Sequence, residues 1–99
     1  MSKNYAVLVE CRGPRPPADG VVIVASSRAA KYELAGEHEL QGDSQWSRLS
    51  LALSTDSRQR VEIEPVSTDP LVLRITSGDS KQANEIAFFL AMETHGKIL

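Results

Sequence analysis

The acidic segment at residues 33–43 contains the side chains best suited to metal binding or proton transfer. His38 stands between Glu37 and Glu39, and carboxylate neighbours can tune an imidazole as a metal ligand or an acid–base group. A metal site needs further ligands at suitable spacing, and no second histidine lies nearby in the sequence. The pattern is more typical of a solvated acidic loop or strand end, so we predict no metal site.

The other reactive side chains are isolated from one another along the chain. Cys11 precedes Arg12, and a cation can lower a thiol pKa, but a lone cysteine at a strand end is usually inert. His95 falls in the last turn of a predicted helix, where histidine commonly interacts with the helix dipole. No Gly-x-Ser-x-Gly elbow or glycine-rich phosphate loop occurs. We therefore predict no catalytic residue and no cofactor, with an enzyme kept as the less favoured alternative.

Composition and charge narrow the class of protein further. The 99 residues have a net charge of −2, 41% hydrophobic and 24% charged residues, which is ordinary for a single globular domain spanning residues 1–99. The first 32 residues are basic, but no basic stripe with interleaved aromatics is present, so no nucleic-acid binding is expected. The single cysteine and the lack of a signal peptide or long apolar run predict a cytoplasmic protein without membrane insertion.

Period-two alternation predicts an antiparallel sheet. Alternating apolar and polar residues indicate a meander of three strands joined by polar turns, with Val61 and Ile63 facing inward and Pro65 marking a strand end or an edge. On the outer face, Arg74 is expected to pair with Glu62 or Glu64 across neighbouring strands. The predicted strands cover residues 5–11, 46–54, 60–64 and 71–76.

The region between the first strand and the meander is harder to interpret. Residues 13–20 are rich in proline and glycine and predict a loop. The β-branched run from Val21 to Val24 predicts a buried strand. Residues 27–40 fit either a strand or a helix, because Tyr32 and Leu34 alternate while Ser26 or Ser27 could cap a helix.

The C-terminal segment predicts a helix over about residues 80–95. Asp79 is expected to cap its first turn, Gln82 completes a capping-box pattern, and Gly96 is placed for a left-handed C-cap. This helix is apolar almost all the way round. One stripe, formed by Ala83, Ile86, Ala87 and Leu90, is expected to pack on the sheet.

Phe88 and Met92 fall on the opposite side of this helix, together with Lys81 and Glu85. An exposed apolar pair of this kind usually marks recognition in a soluble protein. Either the N-terminal strand or the proline-rich loop covers them, or they bind another subunit or partner. Methionine beside an aromatic residue suits an adaptable interface.

The order of elements resembles the pleckstrin-homology-like superfold, including bacterial PH and GRAM-type domains. The local match is the segment from Gly20 to Tyr32, in which a β-branched run is followed by Ser26, Ser27 and Arg28. The resemblance implies an α+β fold, with a curved antiparallel sheet of five to seven strands closed by one C-terminal helix. A helix at 27–40 would instead resemble the double-stranded-RNA-binding domain.

These patterns favour a non-enzymatic protein-interaction or regulatory domain that binds a protein partner or forms a homo-oligomer through its C-terminal helix. A first alternative is a small-ligand or catalytic pocket on the curved sheet, with Trp46, His38 and Glu39 near its mouth. A second, which the PH-like resemblance implies, is weak binding of anionic lipid headgroups. The basic residues available for it are Arg12, Arg15, Arg28 and Lys31.

Overall fold

Two helices pack on one face of an antiparallel sheet. The computed structural model describes residues 4–27, 30–35 and 48–99. Within these residues the sheet has six strands in the order β2-β3-β4-β5-β1-β6. The elements in chain order are β1 (Tyr5–Cys11), α1 (Ala18–Ala25), β2 (Tyr32–Leu34), β3 (Leu49–Leu53), β4 (Asp56–Thr68), β5 (Leu71–Ser77), α2 (Ser80–Glu93) and β6 (Lys97–Ile98).

The predicted first strand and three-stranded meander are confirmed. Strands β3, β4 and β5 pair in sequence, β1 adds to the free side of β5, and every pair is antiparallel. Pro65 neither ends β4 nor lies on an edge strand, so that prediction was wrong. The β4–β5 register shifts between Pro65 and Ser67, and such an irregularity lets a proline, which has no N–H, remain inside a strand.

The core lies between the helices and the sheet face that carries the alternating apolar residues. Val9, Leu51, Ile63 and Ile75 are inaccessible to solvent or nearly so. The helix stripe predicted to pack on the sheet is confirmed: Ala83, Ile86, Ala87 and Leu90 are all fully buried.

The prediction of a strand at Val21–Val24 was wrong, because these residues belong to α1, which also takes in the end of the predicted 13–20 loop. Ala18, Val21 and Ala25 recur at helical spacing, and all three are buried. A β-branched residue costs at most about 0.7 kcal/mol in a helix relative to alanine, whereas burying one valine gains about 1.5–3 kcal/mol. Because β1 and β2 are separated by three strands, the connection must also cross the sheet face, and α1 does so.

The ambiguous segment resolves as a strand where the structure describes it. β2 spans Tyr32–Leu34 and pairs with β3, so a helix over 27–40 is not formed there. The Ser26 hydroxyl donates to the carbonyl of Val22 at 2.8 Å and accepts from the backbone N–H of Tyr32 at 2.9 Å, which fixes the turn between α1 and β2. Most of the acidic 33–43 segment lies outside the described residues.

The ends of α2 differ in part from the expected caps. The Asp79 side chain accepts from the backbone N–H of Lys81 at 2.9 Å, which confirms the N-cap. The left-handed residue at the C-terminus is His95 (φ 55°), not Gly96. Gly96 is needed for a different reason, since a Cβ built there would lie 1.8 Å from the carbonyl oxygen of Glu10. The helix terminus is thereby held tightly against β1.

Candidate interaction surface on the C-terminal helix

The outward side of α2 exposes two large apolar side chains, those of Phe88 and Met92. Phe88 is 61% exposed and Met92 is 63% exposed, and both stand on the same side as Lys81 and Glu85. This four-residue surface is the α2 outer face. Neither β1 nor the proline-rich segment 13–20 covers it, so of the two alternatives the one in which these parts of the chain bury Phe88 and Met92 is excluded.

Apolar side chains from two other elements border the α2 outer face. Val24 of α1 and Ile98 of β6 share a shallow hollow with Phe88, Lys81 and Glu85. Ile98 is 42% exposed. We call Val24, Phe88, Met92 and Ile98, together with the charged pair Lys81 and Glu85, the helix-layer patch. It extends over three elements of the fold.

Contacts beneath the patch fix α1 beside α2 in an antiparallel arrangement. Gln82 does not complete a capping box, because its side chain is used elsewhere. Its amide nitrogen donates to the carbonyl of Ala25 at 2.9 Å, and its amide oxygen accepts from the Ser77 hydroxyl at 2.6 Å. At the other end of α1, the Phe89 ring packs so closely on Gly20 that a Cβ there would lie 3.2 Å from it.

The charged residues of the patch neutralise each other. The Lys81 ammonium and the Glu85 carboxylate are 4.0 Å apart, one helical turn from each other, with 84% and 53% of their side chains exposed. Such pairs contribute only about 0.2–0.5 kcal/mol to a helix. The patch therefore has no net charge and repels neither an acidic nor a basic partner.

The residues predicted for a small-ligand pocket, Trp46, His38 and Glu39, lie outside the described residues, and their grouping stays a prediction. Cys11 is buried, and this burial raises the pKa of its thiol, although a hydrogen bond with Thr94 opposes the shift. A buried thiol with a raised pKa is a poor nucleophile at neutral pH. Among the described residues, no group of three or more potential ligands could hold a metal ion.

The basic residues considered for headgroup binding divide between two ends of the sheet where the structure describes them, with Arg12 and Arg15 both close to Cys11 at one end. Arg12 follows the end of β1 and pairs with Glu10 at 3.2 Å. Lys31 precedes β2, whose pairing through β3 and β4 places it at the opposite end of the sheet. Arg28 lies outside the described residues.

The open face of the sheet, which neither α1 nor α2 covers, carries charged side chains that pair across strands. Arg74 lies opposite Glu64 and donates from Nε to its carboxylate at 3.1 Å, which confirms the predicted cross-strand pair. Arg48 approaches the same carboxylate at 3.4 Å. Hydrogen bonding and charge from Arg74, followed by the charge of Arg48, lower the pKa of Glu64. This face therefore satisfies its own charges.

Sequence reasoning found the α2 outer face but missed its flanks. Val24 was assigned to a buried strand, and Ile98 was left out because it follows the predicted helix. The helical spacing of Ala18, Val21 and Ala25 was the signal that could have placed Val24 on a helix surface.

Comparison of the chain with known protein families, with curated proteins and with solved structures found no match. In the part of the chain that the structure describes, no helix is both long and apolar enough to cross a bilayer.

Proposed function

We propose that this protein is a non-enzymatic, cytoplasmic interaction or regulatory domain that uses the helix-layer patch to bind a protein partner or another copy of itself. The observation that carries the proposal is the exposure of Phe88 and Met92, 61% and 63%, on a face where Val24 and Ile98 extend the apolar surface. Soluble proteins rarely expose such contiguous apolar surface without a use for it.

Stable binding of a partner requires apolar burial over the whole helix-layer patch and not over α2 alone. Burying Phe88 and Met92 completely gains about 1.5–3 kcal/mol for each side chain, scaled down by the part that is already buried. Association costs roughly 4–15 kcal/mol in lost translational and rotational freedom. The two side chains therefore do not drive stable binding by themselves, and the contributions of Val24 and Ile98 are needed.

The proposal is tested by measuring mass in solution for the wild-type chain and a Phe88→Glu, Met92→Glu double variant. Because both side chains are exposed, the variant is expected to stay folded and to lose the associated form or the partner. Val66→Glu is the matched control, since Val66 is 46% exposed but lies at the β4 irregularity. A monomeric wild type whose double variant unfolds would assign both residues to the core and overturn the proposal.

The PH-like description is kept as a proposal about architecture. The antiparallel meander followed by a helix supports it, but the segment from Gly20 to Tyr32 that suggested it contains α1 in place of the expected strand. Headgroup binding is disfavoured by the separation of Arg12 from Lys31. We expect no binding to anionic vesicles at low salt, where a basic surface would be most effective.

A further inference from the structure

A concave site lies at the end of the sheet where α2 begins. The β4–β5 ladder ends at Val61 and Ser77, but β4 continues back to Asp56, so the longer strand overhangs its neighbour. The first residues of β1, the start of β2 and the first turn of α2 close the other sides. The resulting cavity, which we call the tyrosine notch after Tyr5 and Tyr32 in its walls, measures about 690 Å³. Ligand sites of small molecules usually occupy about 300–1,000 Å³.

The charged side chains that line the tyrosine notch are already engaged by the protein. Arg60 lies 4.0 Å from Glu62, and Glu62 also accepts from the Ser50 hydroxyl at 2.9 Å. Asp79 is used to cap α2. A phosphate or carboxylate ligand would therefore lie beside the carboxylates of Glu62 and Asp79, which disfavours anions.

Several uncharged polar side chains in the tyrosine notch make no side-chain hydrogen bond within the described part of the chain. The hydrogen bonds within the described part of the chain leave five of its polar side chains unused, and all five are neutral hydroxyls or carboxamides. These are Asn4, Tyr5, Tyr32, Gln59 and Thr76. Together they offer two aromatic rings and both donors and acceptors of hydrogen bonds.

We propose that the tyrosine notch binds an uncharged, polyhydroxylated ligand, a monosaccharide or a disaccharide. The rings of Tyr5, which is 44% exposed, and of the half-buried Tyr32 supply apolar, electron-rich surface for the C–H groups of a sugar ring. Carboxamides and hydroxyls both donate and accept, as hydroxyl groups of a sugar do, so Gln59 and Asn4 match that pattern without a charge. The site is separate from the helix-layer patch and does not depend on its function.

The chain offers a direct test, because Tyr5 and Tyr32 are its only two tyrosines. Selective labelling of tyrosine rings in the full chain therefore places every labelled NMR signal in the notch. Titration with maltose up to about 10 mM is expected to shift both ring signals along a saturable curve, while labelled phenylalanine rings remain unmoved. Cellobiose and lactose serve as alternative sugar probes.

Two carboxamide variants distinguish a direct contact with the sugar from a general effect on the fold. Gln59→Ala removes one exposed carboxamide and is expected to weaken maltose binding up to about tenfold, as the loss of one hydrogen bond would. Asn84→Ala, which removes a carboxamide beside the helix-layer patch, should leave the affinity unchanged. If none of the three sugars gives a saturable shift, or if only adenosine or inorganic phosphate does, the proposal is overturned. Equal weakening by both variants would also overturn it.

Discussion

The open face of the sheet and the helix-layer patch differ in the kind of side chain that they expose to solvent. The open face of the sheet exposes arginines and glutamates that pair with each other across strands, as Arg74 and Glu64 do. The helix-layer patch exposes Phe88 and Met92, whose side chains find no cover among the described residues. Leu8 and Val66 are large apolar residues of the sheet strands that are also exposed, at 36% and 46%. The charged side chains of the sheet face are suited to contact with water, whereas the apolar side chains of the helix-layer patch are not.

This difference follows from how each element arranges its residues. Alternation along a strand separates apolar from polar residues cleanly, so one sheet face can be wholly polar. In α2, apolar residues occur on both the inner and the outer side, and no arrangement of a single sheet can bury both. The excess apolar surface of α2 is thus fixed by the sequence and is available for recognition.

The largest expected effect is on the free energy of unfolding, and it distinguishes the inner side of α2 from the outer side. Leu90→Ala removes a fully buried side chain and is expected to lower the free energy of unfolding by about 2–5 kcal/mol. Phe88→Ala removes a larger but exposed side chain and should change the free energy of unfolding by less than about 0.5 kcal/mol. Urea unfolding at low protein concentration, followed by circular dichroism, measures both. Similar losses in the two variants would mean that Phe88 is a core residue.

A smaller effect on stability is expected where the end of α2 packs against β1 through Gly96. Gly96→Ala places a Cβ against the Glu10 carbonyl and is expected to cost about 1–3 kcal/mol, as overpacking does. Because β6 follows directly, hydrogen exchange should quicken at Leu99, which bonds the Leu8 carbonyl, but not in β4 or β5. Lys97→Ala is the control, since it changes the adjacent side chain without crowding the backbone. Unchanged exchange at Leu99 would show that β6 does not depend on the close approach at Gly96.

The sequence predicted the parts of the fold that local periodicity determines. The strands with clear alternation and the buried stripe of α2 were correct because side-chain burial and local pattern agree there. The helix at Val21–Val24 was missed because β-branched propensity favoured a strand. The need to cross the sheet between β1 and β2 is a long-range constraint, and no local window contains it.

The candidate site was predictable only in its central part. Phe88 and Met92 were recognised from helical spacing alone, and the cross-strand pairing of Arg74 from alternation. Val24 and Ile98 join the patch through tertiary packing of α1 and β6, which residue spacing within α2 cannot reveal. The tyrosine notch brings together residues far apart in sequence, such as Tyr5, Tyr32 and Gln59, for the same reason.

The smallest expected effect tests the claim that the open sheet face satisfies its own charges. Because Arg74 and Arg48 lower the pKa of Glu64 in the folded protein, the unfolded chain binds this proton more readily. The contribution of Glu64 is therefore fully present above the ordinary glutamate pKa of about 4.3 and is lost as the pH falls through the depressed value. Urea midpoints at pH 6 and pH 3 should show a slightly smaller acid loss for Glu64→Gln than for the wild type.

The control for this effect lies on the other face of the molecule. Glu85 is also an exposed glutamate near a cation, but Lys81 is 4.0 Å away, and no hydrogen bond joins the two within the described structure. Glu85→Gln is therefore the matched control, and added salt should shrink the Glu64 effect by screening. If both variants altered the acid loss equally, pairing on the sheet face would be no stronger than on the helix face. The contrast between the two faces would then rest on Phe88 and Met92 alone.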